Sequence, residues 1–386
     1  MKVLMLTNTV DKAGGLERYV LELSDAICAH GIEVTILAKR RDVAAPAYEE
    51  RPSGVRVERY AVPSKRSPTF AVRYLDHVVL PVMRELRRRN AETVVHAHFA
   101  LPALAATLSR TPFAHTFHAP LHRELLAERQ GSYVLPRPVQ RAAVAAVRAS
   151  ERRVMRRARA IVLLSEFMRT ELAHIDPDAA NRAMLLPGGV DTDRFAPAGS
   201  RPPEGAPLLF TARRLTPRTG VATLIEALPA IAAEQPDVRL AVAGAGGQEG
   251  AIRRRIAELG IQRRVDLLGR VSDDELVRWY RRATLVVMPT QELEGFGLTT
   301  AEALATGTPV IGTPAGATPE LLTPIDPALV SRDTSAAALA DAVTRMLADR
   351  ERCARVRGAA RARVHPAMGW PAIAERHLEL YDRLGG

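Results

Sequence analysis

Short apolar, β-branched runs recur along the chain, each followed by a stretch in which apolar residues return every three or four positions. The runs at 3–7, 33–38, 55–60, 93–96, 114–117 and 160–165 predict strands in the first half. Those at 208–212, 239–243, 265–268, 285–289 and 309–313 predict strands in the second. Strands that alternate with helices in this way imply an α/β fold, with parallel sheets covered by helices on both faces. Between the halves lies "FAPAGSRPPEGAP" (195–207), rich in proline and glycine and so a linker signature. The pattern therefore predicts two doubly wound domains, the first ending near 195 and the second starting near 207, facing each other across a cleft. Ligands are expected beyond the carboxyl ends of the strands. No short-period repeat, low-complexity tract or heptad array interrupts this pattern.

Composition narrows the class. The 386 residues are 47% hydrophobic and 25% charged, as in soluble globular proteins with ample core. No apolar run reaches the roughly 18 residues of a membrane span. The opening "MKVLMLTNTV" is strand-like and lacks the features of a signal peptide. The two cysteines, Cys28 and Cys353, form no CxxC. These features together lead to the expectation of a cytoplasmic protein.

The net charge of +11 comes mainly from arginine. Two readings stand side by side: a coding-sequence bias, and attraction to anions such as phosphates or an acidic membrane face. The densest basic patch, 137–159, has apolar residues at roughly helical spacing. It predicts a basic amphipathic helix whose charged face is either solvated or in peripheral contact with acidic lipid headgroups. Aromatic content is only 4%, and no basic stretch carries interleaved stacking residues, so nucleic acid is not an expected partner.

The stretch "EGFGLTTAE" (294–302) follows the apolar run 285–288 and carries the densest chemistry. Gly295 and Gly297 allow close approach of backbone to ligand and positive φ. Helix-favouring residues run from Thr300 to Ala305, and Gly307 with Pro309 stops them. The helix start, with free N–H groups around Phe296 to Thr299, is an anion site. Glu294 in the loop and Glu302 on the helix flank it and suit sugar hydroxyls. Read from spacing alone, Glu302 is equally a solvated helix residue, and Glu294 a loop acid favouring the helix dipole.

The longer stretch "PTQELEGFGLTTAEALATGTPVIGTPAGATPELL" (289–322) resembles the donor-site signature of retaining glycosyltransferases of family 4, which have the GT-B fold. Glu294 and Glu302 meet its E-x7-E pattern. The first 36 residues after Met1 resemble that family's first strand, glycine loop and helix. "LLPGGVDTDRF" (185–195) resembles its interdomain segment, and "VDLLGRVSDDELVRWYRRATLVVMP" its strand-loop-helix before the acidic motif. The final "GWPAIAERHLELYDRLGG" resembles its C-terminal helix, which crosses back to the first domain. The resemblance implies an acceptor-binding domain of 1–195 plus helix 369–386, a linker at 196–206 and a donor-binding domain of 207–368.

The resemblance also assigns roles. Glu294, Gly295, Phe296 and Gly297 would hold the donor sugar, and amides near Leu298 and Thr299 the diphosphate. Glu302 would take the ribose hydroxyls. Gly14 and Gly15 would approach the diphosphate from the first domain. His118, in "AHTFHAP", would sit near the reacting centre, positioning the sugar and stabilising charge. Arg270 and Val271 would line the donor site. In "ARRLTPRTGV" (212–221), Arg214 fits the family's arginine. The family's lysine is replaced by Thr219, with Arg218 beside it, so one phosphate-facing cation is displaced or lost.

The implied reaction is transfer of a hexose from a nucleotide sugar to an acceptor hydroxyl, with retention and an α-glycosidic product. A UDP-sugar is expected first and a GDP-sugar second, with no metal or cofactor required. The acceptor is a cyclitol or aminocyclitol, a glycan or a lipid-linked molecule. Asp11, Glu17 and Glu124 lie near loops suited to a cationic acceptor. "TFHAPLHRELLAERQGSY" resembles the polysaccharide and natural-product branch, including aminoglycoside assembly, hence an antibiotic-biosynthesis expectation. Membrane-associated glycolipid or polysaccharide mannosyl or glucosyl transfer is an alternative. A non-catalytic nucleotide-sugar binder on the same scaffold is another.

Other motifs fall away. The glycines at 244, 246 and 250 miss G-x-G-x-x-G by one position. His96, His98, His115, His118 and His122 lack an HExxH pattern, so zinc is not expected. No G-x-S-x-G elbow or P-loop is present.

Overall fold

A computed structural model describes residues 1–11, 14–40, 44–62, 70–90, 92–123, 137–198 and 205–385. The chain forms two compact units, Met1–Gly189 with Trp370–Gly386, and Val190–Gly369.

The first unit is built on an eight-stranded sheet in the order β3-β4-β2-β1-β5-β6-β7-β8. The strands are β1 (Lys2–Leu6), β2 (Glu33–Arg40), β3 (Tyr48–Glu50), β4 (Arg56–Ala61), β5 (Thr93–Ala97), β6 (Ala114–Phe117), β7 (Ala160–Leu163) and β8 (Met184–Leu185). All pairs are parallel except β3 with β4. Leu4 lies between Thr35 and Val95, and Val3 to Leu6 are all buried although successive side chains point to opposite faces, which is why the central strands read as continuous apolar runs. The core gathers Leu4, Leu6, Val95, Phe113, Phe117, Ile161, Leu163 and Met168. β3 and β8 were not predicted. β3 is polar and exposed at the sheet edge, and β8 is two residues long, so neither carries an apolar signal.

The C-terminal helix Trp370–Gly385 packs on the helix Gly15–Ala29 of this first unit. Trp370 Nε1 donates to Glu22, and the Tyr19 hydroxyl lies 3.3 Å from His377 Nε2. The indole covers Gly189, where a Cβ would lie 2.3 Å from the ring.

The second unit holds a fully parallel sheet in the order β11-β10-β9-β12-β13. Its strands are β9 (Leu208–Ala212), β10 (Arg239–Ala243), β11 (Val265–Gly269), β12 (Leu285–Met288) and β13 (Val310–Gly312). The change of unit falls at Gly189–Val190, earlier than the expected end at 195. Val190 bridges Gly369, Arg194 pairs with Asp273 at 2.9 Å, and Phe195 meets the Tyr280 ring. Ala196, placed in the linker from sequence, accepts a hydrogen bond from Arg281 at 2.7 Å. Proline and glycine content marks where regular structure stops, whereas contacts decide which unit a segment joins.

Each strand order reverses beside its first strand. The reversal lies between β1 and β5 in the first unit and between β9 and β12 in the second. Loops leaving such a pair diverge to opposite faces of the sheet and open a crevice at its carboxyl edge.

Candidate active site

In the second unit, the loops after β9 and β12 meet in an ion pair. Arg213 Nη1 lies 2.7 Å from Glu294 Oε2, with side chains 10% and 19% exposed. The guanidinium also faces Thr299 Oγ1 at 3.4 Å and Thr290 Oγ1 at 3.2 Å, and its Nε has no partner. The arginine that pairs with Glu294 is Arg213; Arg214, which the resemblance places at the family's arginine, follows it in the same loop. Arg214 is exposed to solvent.

The turn 290–297 is held on several sides. Gln291 N–H donates to Arg218 O (2.8 Å), Arg218 Nη1 to Leu293 O (2.9 Å), and Ala317 N–H to Glu294 O (2.8 Å). Leu293 is buried and has φ of 55°, a left-handed conformation costly for a leucine and characteristic of functional turns. Thr219 is buried, and its hydroxyl donates to backbone oxygens of Arg214 (2.5 Å) and Thr216 (2.8 Å). Thr219 carries no charge, and Arg218 keeps its own, since a carbonyl oxygen does not neutralise a guanidinium. Thr219 closes the 217–219 turn, and Arg218 staples it to the acidic loop.

Gly220, next in the chain, has φ of 72°, and a Cβ there would lie 1.7 Å from Pro289 O. Gly220→Ala is expected to cost about 2 kcal/mol or more, from backbone strain and displacement of the β12 exit. Urea unfolding checks this. A midpoint unchanged from wild type would show that the turn accommodates a methyl group.

Of the turn glycines, only Gly297 takes positive φ (91°), whereas Gly295 does not. Gly297 is the N-cap of the helix Leu298–Ala305 and offers no side chain to cap it. The helix begins two residues before the predicted run, so its first-turn donors are the N–H groups of Leu298, Thr299 and Thr300. Phe296 is buried at 5% exposure. Glu302 is 3% exposed and accepts from the Tyr280 hydroxyl at 3.2 Å, so it is not a solvated helix residue. Arg270 is exposed and Val271 half-buried in the loop after β11, two strands from β9.

In the first unit, Gly14 is the extended N-cap and Gly15 the first residue of the helix Gly15–Ala29, again without a side-chain cap. His118 follows β6. Its Nε2 lies 3.2 Å from His98 Nδ1, and its ring packs edge-on against Tyr19. Burial pushes His118 down to about 3, so the ring is neutral near pH 7. In this state the neutral imidazole acts as a hydrogen-bonding group. Behind it, His96 Nδ1 meets the Tyr381 hydroxyl at 2.6 Å and Nε2 meets Thr116 Oγ1 at 2.8 Å. Among the described residues no group of His, Cys, Asp and Glu is arranged to hold a metal.

Asp11 forms a buried pair with Arg59 at 2.7 Å. Glu17 is half-buried in the first helical turn, and Glu124 lies outside the described residues.

The basic segment forms the helix Arg137–Arg157. Glu151, Val154 and Met155 are buried, while none of residues 141–150 is. Glu151 accepts from Leu121 N–H (2.6 Å) and His122 Nδ1 (2.7 Å), and Arg152 and Arg156 pair with Asp176. Burial is complete only toward the C-terminal end of the part whose side chains are described, residues 141–157, while Val144, Val147 and Ser150 are half-buried. Among the described residues no helix is long and apolar enough to cross a membrane.

Two doubly wound units define the GT-B class of glycosyltransferases, and an acid–guanidinium pair beside an uncapped helix start suits a nucleotide-sugar donor. Two family models match in tandem: Glycosyltransferase Family 4 over residues 13–194 and Glycosyl transferases group 1 over 193–363. The D-inositol 3-phosphate glycosyltransferase of Xylanimonas cellulosilytica is 30% identical, covering 96% of this chain and 91% of the relative. The GDP-mannose-dependent alpha-(1-6)-phosphatidylinositol monomannoside mannosyltransferase of Mycobacterium tuberculosis is 28% identical, covering 97% and 96%. Sucrose-phosphate synthase from Thermosynechococcus elongatus shares the fold, with a TM-score of 0.80 at 23% identity, covering 100% of this chain and 99% of that one. The chain belongs to the family 4, group 1 glycosyltransferases and is a nucleotide-sugar glycosyltransferase.

Proposed function

We propose that the protein transfers a hexose, with retention, from a nucleoside diphosphate sugar to a hydroxyl of a cyclitol-type acceptor. The observation that carries this reading is the Arg213–Glu294 pair beside the open donors of Leu298–Thr300, at the strand-order reversal of the second unit. Cleaving the anomeric bond leaves an extra negative charge on the diphosphate. Fixed N–H groups and a guanidinium, already oriented and little exposed, stabilise that charge without reorganisation, in a role that a divalent metal fills elsewhere. The acidic side chain paired with Arg213 holds sugar hydroxyls. The two relatives, whose names carry inositol 3-phosphate and phosphatidylinositol monomannoside, support the cyclitol class.

The sequence reading favours a UDP-sugar. A GDP-mannose donor with a lipid-linked inositol acceptor is the second reading, favoured by the mycobacterial relative's name and by the exposed residues of 141–150, Arg141 and Arg148 among them.

A thermal-shift panel of UDP, GDP, ADP and their sugars tests the donor. A ligand at 100 times its Kd stabilises the fold by about 2.7 kcal/mol. Turnover is then measured with inositol, inositol phosphate, an aminocyclitol and phosphatidylinositol, reading the anomeric configuration of the product by NMR. If no nucleotide raises the transition, the donor assignment fails. Specific binding without turnover on any acceptor would favour a non-catalytic binder.

A further inference from the structure

His98 is 1% exposed and is held between two groups. Its Nε2 lies 3.2 Å from Met5 Sδ, and its Nδ1 lies 3.2 Å from His118 Nε2. Two of the polar groups nearby are engaged elsewhere. His96, whose ring centroid is 4.1 Å from that of His98, spends its nitrogens on Tyr381 and Thr116. The Tyr19 hydroxyl faces His377.

Both rings are neutral, because burial pushes the two imidazoles below their ordinary range. Each therefore carries a single N–H. A thioether has no proton to offer and accepts only weakly. The Met5 contact is a hydrogen bond only if His98 Nε2 carries the proton. His98 Nδ1 is then a lone pair, and His118 Nε2 must donate to it. That uses the one N–H of His118 and leaves its Nδ1 as an acceptor. The opposite arrangement sets the His98 Nε2 lone pair against sulfur lone pairs in a dry site, a buried acceptor with no donor.

We propose that His98, itself oriented by Met5, is a positioning residue that locks His118 in the Nε2–H tautomer, so that His118 Nδ1 accepts a hydrogen bond from a hydroxyl of the transferred sugar. The ligand part of this inference rests on the function proposed above. The tautomer part stands on the apoprotein.

The experiment is imidazole 15N long-range correlation spectroscopy on the full chain near neutral pH, with His118 assigned through His118→Gln. Wild type should show a protonated-type Nε2 and an unprotonated-type Nδ1 at both His118 and His98. A protonated Nδ1 at His118, or an averaged pair of shifts, overturns the proposal. His98→Asn puts an acceptor oxygen near the former Nδ1 and should retain the His118 pattern, with kcat within about threefold of wild type. His98→Val should mix the tautomers and lower kcat roughly 10- to 100-fold, as small misplacements of reacting groups do. Met5→Leu conserves volume and removes only the sulfur. It should also mix the pattern, and it decides the matter with the wild type if His98 variants do not fold. A wild-type pattern in both His98→Val and Met5→Leu would reduce the contact to packing and sink the idea. These spectra need no donor. A chain with the expected pattern but no transfer activity on any donor would overturn the functional reading and support the tautomer.

Discussion

Arg213→Ala is expected to lower kcat about 10²- to 10³-fold, the loss seen when one fixed donor to a developing negative charge is removed. Arg214→Ala should change it less than about threefold, as exposed substitutions away from a site do. The two arginines are adjacent in sequence and identical in chemistry, yet only Arg213 meets Glu294, Thr290 and Thr299. At 10% exposure its charge is screened far less than that of Arg214 in open water. Glu294→Gln keeps the shape of the turn but removes the charge matched to the guanidinium, and should lower kcat about 100-fold. Steady-state kinetics on the folded variants, with the donor found by thermal shift, decide the matter. An Arg213→Ala enzyme within threefold of wild type, or a larger loss in Arg214→Ala, would remove Arg213 from the donor site.

Acidification is expected to unfold the first unit while the second persists. Five histidines, His96, His98, His115, His118 and His377, lie in the first unit, and burial pushes each below the ordinary value of 6.5. His115 and His377 fall to about 4 and are essentially inaccessible. The unfolded chain protonates these rings near pH 6.5, whereas the folded chain does so only near pH 4. Between those values the unfolded state binds more protons, so stability is full above about pH 6.5 and is lost as pH falls toward 4. Each pKa unit corresponds to about 1.4 kcal/mol. His115 and His377 together thus remove on the order of 5 kcal/mol, comparable to the net stability of a domain.

The two tryptophans separate the units, Trp370 reporting the first and Trp279 the second. Urea unfolding of Trp279→Phe and Trp370→Phe chains from pH 7.5 to 4.5 should show the Trp370 midpoint collapsing first. A first-unit midpoint that is flat over this range would contradict the burial of these rings as neutral groups.

Much of the fold was legible because burial on both sheet faces leaves a direct trace. β1, β2, β5, β9 and β12 had to be apolar at consecutive positions, and the runs at 3–7, 33–38, 93–96, 208–212 and 285–289 announced them. Gly297 was legible for a different reason, since a helix entered through positive φ favours glycine. β3 was not legible, because an exposed polar edge strand is formed by pairing with β4 alone. The pairing of Asp11 was not legible for a related reason: its partner Arg59 is 48 residues away, on β4.

Local pattern and chemistry were therefore set by the chain itself: alternating elements, an acidic glycine turn after a buried strand, and a histidine at the end of β6. Which of two neighbouring arginines serves the turn was decided by tertiary structure. Side chains leaving a strand alternate between faces, and only the pairing of β9 with β12 chooses the face that meets Glu294. Tertiary structure likewise decided that Val190–Ala196 joins the second unit and that His98 reaches His118. Such contacts join residues far apart in sequence, and local composition carries no record of distance in space.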